Sequence, residues 1–358
     1  MIKFTKILCC TALLATAGVL QGQEASNESN YSSTSDFFSS IVAFFHGYVG
    51  SSAEEKCLSD TTTTQGFPPL TNEVIGKGPF SQKIDFFDSM GWNLTKNSVM
   101  KELYFFTNSH ESHEAFNRIN ALKKLYDKNN FSQKDVQEKS LIPKIIHQIW
   151  IGPDKPPAIL EESQKSIQKY HQNWEYKLWT DADITDLKLY NQKLYDLSDN
   201  YNEKADILRY EILHTYGGIY LNVNFICLKP FDALLHYDLC VSIQPLYCEA
   251  EIANSIIGSV PKNPILQECI HTIKDGWNAF HTLGMPNNTG SSHFQKSFMK
   301  FVTSKTLTII AFPASFFYPI EDEDKLIEIN SSCKENVQKI QSHVNPECFA
   351  VQCRAETG

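Results

Sequence analysis

KADILRYEILHTYGGIYLNVNFICLKP, residues 204–230, reads as a helix, a glycine stop and a buried strand. Leu208, Ile212 and Leu213 recur at helical spacing, and Asp206 and Arg209 stand three apart, on one face. Gly217-Gly218 ends the helix, because glycine enters the left-handed region without steric cost. Ile219 to Leu228 is short, apolar and partly β-branched, which suits a central strand. Alternation puts Tyr220, Asn222 and Asn224 on the same face. Burying an amide without a partner costs ~1–3 kcal/mol, so the two asparagines form either a satisfied pair at a strand end or a ligand site.

The block ADILRYEILHTYGGIYLNVNF resembles the core of glycosyltransferase family 32, the DXD-motif sugar transferases. It is also similar to the corresponding segment of the clostridial glucosylating toxins. Where those proteins carry Asp-x-Asp, this chain has Asn222-Val223-Asn224. The resemblance continues through IPKIIHQIWIGPDKPP from Ile142 and through the Trp-Glu-Tyr-Lys-Leu-Trp-Thr-Asp run ending at Asp181. It is strong from Ile142 to Pro230, moderate to Pro319, and absent before Ser140. The terminal His and Ser-Trp segment of many relatives is missing, since no tryptophan follows Trp277.

Composition narrows the partners. A net charge of −9 and a pI of about 5.7 argue against nucleic acid or an anionic membrane surface. Met1 to Gly22 has the form of an export signal: Lys3 and Lys6 precede an apolar run, Ile7 to Leu20, that is short for a membrane span. A short signal-anchor is the competing reading. Export implies a periplasmic, secreted or lumenal site, where the late cysteines Cys333, Cys348 and Cys353 are expected to include a disulfide. Sequons such as Asn27, Asn30, Asn93 and Asn287 would carry glycans only in a eukaryotic secretory pathway.

The organisation expected is a signal peptide at 1–22, a flexible Ser/Thr-rich linker at 23–80 and a helical extension at 81–140. A GT-A-like domain follows at 141–325, then a tail at 326–358 that a disulfide would link. In the extension, Phe116, Ile119, Leu122 and Leu125 follow helical spacing after Ser112 as N-cap. In the domain, Ile142 onward is a strand stopped by Gly152-Pro153, Glu161 to Tyr170 a surface helix, and Trp174 to Trp179 a second strand. Asp181 and Asp183 cap the next segment, and His147 is a buried structural histidine. This alternation is that of an α/β sheet, in which ligands bind beyond the carboxyl ends of the strands. The resemblance makes it a GT-A-like nucleotide-sugar-binding fold with a mixed central sheet.

The resemblance also assigns roles. It implies Asp206 and Arg209 as the catalytic pair on the donor sugar, and Trp150, Tyr220, Asn222 and Asn224 as donor-binding residues. Trp150 would stack on base or ribose; a core tryptophan at a strand end is the alternative. Asn254 is a candidate substrate contact. The cation of such enzymes, Mn2+ or Mg2+, falls to Asn222 and Asn224, where the doubled replacement removes two charges and weakens the site. The reading implied is transfer of a sugar, with retention, from a nucleotide-sugar donor to an unknown glycan, lipid or protein acceptor. A catalytically impaired nucleotide-sugar-binding pseudoenzyme or an exported interaction domain is the alternative.

Overall fold

The computed structural model describes residues 84–90, 110–129, 139–244, 251–283, 289–319 and 344–353. All lie in one compact unit, 72–358. The export signal, the linker, the four sequons and Cys333 fall outside the described residues.

The described chain runs α1 (Phe86–Ser89), α2 (His110–Asn129), β1 (Ile145–Ile149), α3 (Ala158–Tyr170), β2 (Glu175–Trp179), α4 (Asp181–Ile184), α5 (Gln192–Leu197) and α6 (Tyr201–Tyr216). It continues with β3 (Gly218–Leu221), β4 (Phe225–Cys227), β5 (Leu239–Gln244), β6 (Glu251–Ser259), α7 (Pro264–Leu283), α8 (Ser291–Met299), β7 (Ile309–Phe312) and β8 (Ala350–Gln352). Six strands form one sheet in the order β2-β1-β3-β6-β5-β7. β1 runs parallel to β2 and β3, β6 is antiparallel to β3 and β5, and β7 is parallel to β5. The sheet is therefore mixed, as expected of a GT-A-like α/β domain. Because β1 and β3 are parallel neighbours, their carboxyl ends open on one edge, the place where such sheets bind ligands.

The helix–glycine–strand reading holds locally. Asn200 caps α6, its Oδ1 accepting from the backbone N–H of Asn202 at 2.8 Å. Ile207, Leu208, Ile212 and Leu213 are all buried. Gly217 ends the helix at φ 65°, and Gly218 follows at φ 97°. A Cβ on Gly217 would meet the Pro261 ring at 2.7 Å, so both the backbone and the space require glycine.

Two expectations are corrected. Ser112 is not an N-cap: α2 begins at His110, two residues earlier, while Ile119, Leu122 and Leu125 are buried as the spacing predicts. The run 219–228 is not one strand. It divides at Asn222–Asn224 into β3, in the main sheet, and β4, which pairs antiparallel with β8 in a separate two-stranded sheet. The alternation argument that placed Asn222 and Asn224 on one strand face therefore fails, because a turn separates them.

The carboxyl-terminal segment is part of the core. Phe349 is 1% exposed and lies against the rings of Phe231, Phe316 and Phe317. Its burial is worth about 1.5–3 kcal/mol. Lys229 lies 5.0 Å from the centre of the Phe349 ring and donates to the Pro346 carbonyl. Cys348 and Cys353 are buried free thiols, each pushed up to about 12 by burial.

Candidate active site

Asp206 projects from the first half of α6 and is 8% exposed. Three donors hold its carboxylate. Asn254 Nδ2 donates to Oδ1 at 2.9 Å, Arg209 Nη2 lies 3.2 Å from the same oxygen, and Thr289 Oγ1 donates to Oδ2 at 2.8 Å. Asn254 sits on β6, and its own amide is spent on the site. Nδ2 also donates to the Tyr210 hydroxyl at 3.1 Å, and Oδ1 accepts from Ser291 at 3.2 Å. The sequence offered Asn254 as a substrate contact; here it aligns Asp206.

Arg209, 6% exposed, donates through Nη1 to the Asn254 carbonyl at 2.8 Å and through Nε to the Ala205 carbonyl at 3.3 Å. Its guanidinium lies 4.7 Å from the centre of the Tyr220 ring, a cation–π contact that fixes the ring's place. Burial works against the Arg209 charge, but Tyr220 and Asp206 outweigh it and its pKa stands above the ordinary value. Burial raises the Tyr220 phenol, with Arg209 opposing, so the phenol remains a hydrogen-bond donor.

That donor reaches the asparagine turn. Tyr220 Oη donates to Asn222 Oδ1 at 2.6 Å. The turn's backbone is anchored from both neighbours: Asn222 N–H donates to the Ser255 carbonyl at 2.9 Å, and Gln148 Nε2 on β1 donates to the Asn222 carbonyl at 3.3 Å. Asn224 points elsewhere. Its Nδ2 donates to the Cys353 carbonyl at 2.7 Å, while Cys353 N–H donates back to the Asn224 carbonyl at 2.8 Å. Asn222 thus belongs to the Asp206–Arg209–Tyr220 assembly, and Asn224 to the seam with β8.

Trp150 follows β1, is half-buried, and donates from Nε1 to the Asp154 carbonyl at 3.0 Å. It is at the same sheet edge as Asn222. Beside it, Asp181 accepts from Gly152 N–H at 2.9 Å, and Asp183 closes a capping box with Thr180. His147 is structural. Its Nδ1 accepts from Trp179 Nε1 at 3.1 Å, Nε2 lies 2.9 Å from the Gly217 carbonyl, and burial lowers its pKa to about 4.

The residues fit a divalent cation poorly. Such an ion wants several oxygens, carboxylates among them. Asn222 Oδ1 already accepts a phenol, Asn224 has turned to β8, and both Asp206 oxygens are engaged by protein donors. Among the described residues no three His, Cys, Asp or Glu side chains gather as a metal site.

Thr289, Tyr210 and Ser291 are the members of this network that carried no role in the sequence reading.

A family profile described as "Glycosyltransferase sugar-binding region containing DXD motif" matches residues 157–240, a span that includes α6, β3 and the asparagine turn. Residues 157–240 are similar to that sugar-binding region. Inositol phosphoceramide mannosyltransferase 3 of Schizosaccharomyces pombe is 36% identical over 145 residues, 38% of each chain. Mannosyl phosphorylinositol ceramide synthase SUR1 of Saccharomyces cerevisiae is 34% identical over 139 residues, 37% of this chain and 35% of the yeast protein. This chain thus spans well under half the length of these relatives. An uncharacterised glycosyltransferase of Acanthamoeba polyphaga mimivirus, L373, is 27% identical over 50% of this chain and 74% of its own. Of solved structures, the catalytic domain of alpha-toxin from Clostridium novyi superposes with a TM-score of 0.34 at 10% identity, covering 65% of this chain and 75% of the toxin domain.

Proposed function

We propose that the protein is a glycosyltransferase that moves a hexose from a nucleotide-sugar donor to an acceptor hydroxyl, with retention at the anomeric carbon. The bond from that carbon to the diphosphate oxygen breaks, and a bond to the acceptor oxygen forms. The acceptor's proton leaves with the nucleoside diphosphate. The observation that carries the reading is the Asp206 carboxylate, held by Asn254, Arg209 and Thr289 beside Tyr220 and Asn222, within the matched region's edge of the sheet. A carboxylate fixed in this way is preorganised to bind sugar hydroxyls, with no cost of ordering when the donor arrives.

In this reading Asp206 and Arg209 orient the donor sugar, Trp150 stacks on its base or ribose, and Tyr220 and Asn222 border the diphosphate, while Asn224 holds the β8 seam beside them. Mn2+ or Mg2+ binds at most weakly, for want of carboxylates. The names of the yeast relatives make mannose the first sugar to test and an inositol phosphoceramide the first acceptor. Export through a secretory pathway, from the form of residues 1–22, belongs to the same reading.

The experiment is transfer of radiolabelled mannose from GDP-mannose, and of glucose and galactose from their UDP donors, to inositol phosphoceramide and to water. Asp206→Asn, which keeps the shape and removes the charge, should abolish transfer. Nucleotide-sugar binding without transfer or hydrolysis for every donor would replace the transferase reading with that of a binding protein.

A further inference from the structure

Asn222 is oriented by its neighbour, and the orientation decides what it offers a ligand. The Tyr220 phenol, itself set by Arg209, donates to Asn222 Oδ1 at 2.6 Å. The amide's acceptor is therefore used inside the protein. The Asn222 backbone is fixed by Ser255 and Gln148, so the side chain has no easy alternative place. Among the described residues Nδ2 has no protein partner, and the side chain is half-buried at the sheet's ligand edge.

An aspartate at 222 would keep the same phenol bond and differ only at the outward atom. It would show an oxygen anion, which can meet a diphosphate only across a cation. The amide shows an N–H pair, which meets an anionic oxygen directly and gains from its charge. Asn224 does not restore the cation site, because its Nδ2 bond to the Cys353 carbonyl turns the side chain to the β8 seam, where Gln352 Nε2 reaches its Oδ1 at 3.5 Å.

We infer that the chain binds the diphosphate of its donor without a metal, through the Asn222 amide, at the sheet edge where the Tyr220–Arg209 stack holds that amide in the donating orientation. The inference rests on the nucleotide-sugar reading above and deepens it. The two can fail separately.

The test is calorimetric titration of the full chain with GDP and with UDP, once in EDTA and once in excess MnCl2. The dissociation constant should agree between the two conditions within about twofold. Asn222→Asp should lose about tenfold or more in EDTA and recover with Mn2+, since the carboxylate repels the diphosphate until a cation bridges them. Asn222→Ala, which removes the outward amide without adding a charge, should lose affinity equally in both conditions. Wild-type binding that disappears in EDTA and returns with Mn2+ overturns the inference and leaves the donor reading intact. So does an Asn222→Asp variant with undiminished affinity in EDTA. Failure of the wild type to bind either nucleotide in either condition removes the donor reading and the inference with it.

Discussion

Asn224 gives an amide hydrogen to the Cys353 carbonyl across 2.7 Å, and takes the Cys353 backbone N–H on its own carbonyl at 2.8 Å. The first of these bonds requires a donor at position 224. An aspartate there would set a carboxylate oxygen against a carbonyl oxygen. Asn224→Asp is therefore expected to destabilise the fold by ~1–3 kcal/mol near neutral pH. The penalty should shrink below about pH 4, where a protonated carboxyl regains a donor. Urea denaturation of variant and wild type across that range measures it, and a variant as stable as wild type at neutral pH would mean that the β8 seam does not depend on this bond.

Asp206 and Arg209 are a buried pair, 3.2 Å apart with side chains 12% and 8% exposed. Removing one partner of such a pair leaves the other charge unpaired, a cost of ~3–5 kcal/mol. Arg209→Ala should accordingly lower stability far more than an exposed helix pair would, by that amount against ~0.3–0.5 kcal/mol. Asp206→Asn should cost less, since an amide can still receive a hydrogen bond from Thr289 or Asn254. Thermal denaturation of both variants supplies the comparison. A loss below about 1 kcal/mol for Arg209→Ala would return the pair to the status of a surface contact.

The helix, its glycine stop and the strand–helix alternation were legible because their signals are local, with Leu208 to Leu213 at helical spacing and Gly217 behind them at positive φ; that the sheet is mixed came from the family resemblance. The split of 219–228 was not. Period-two alternation presumes one strand, and the break comes from β4 pairing with β8, a contact in which Asn224 meets a residue 129 positions away. Asp206, Arg209, Tyr220 and Asn222 were named together because they fall within seventeen residues of one motif. The groups that align Asp206 were scattered: Asn254 is 48 residues on and Thr289 83. No spacing rule joins positions so far apart; only the fold brings them to one carboxylate. Cys348 and Cys353 are likewise close in sequence, yet both thiols are free.

Thr289 is the least conspicuous of Asp206's partners, and the one whose removal disturbs least else. Thr289→Val keeps the volume and deletes the 2.8 Å bond to Oδ2. A hydrogen bond to a charged group is worth about 1.5–3 kcal/mol, part of which would be felt as a misplaced carboxylate in the transition state. Transfer is expected to fall roughly tenfold to a hundredfold, at about 1.4 kcal/mol per decade. The fall should lie in kcat more than in nucleotide affinity. A variant with weakened nucleotide binding and unchanged kcat would instead place Thr289 against the nucleotide.

Two buried histidines give the fold a pH dependence with a definite sign. His147 Nδ1 accepts from Trp179 Nε1, and His171 Nε2 accepts from the Phe231 backbone N–H at 3.1 Å. Protonating either nitrogen would turn an N–H toward an N–H. Burial lowers both pKa values to about 4, against an ordinary 6.5. Between those limits the unfolded chain takes up protons that the folded chain refuses, so stability is complete above about pH 6.5 and falls as pH drops toward about 4. Each imidazole contributes a slope approaching about 1.4 kcal/mol per pH unit in that window. His147→Gln offers an oxygen to Trp179 and an amide to the Gly217 carbonyl, and does not titrate. Its stability should therefore decline less steeply than that of wild type between about pH 6.5 and about pH 4.5, by roughly one imidazole's share. Urea midpoints measured across the window decide the matter. Parallel curves for variant and wild type would show that His147 does not carry the linkage its buried position implies.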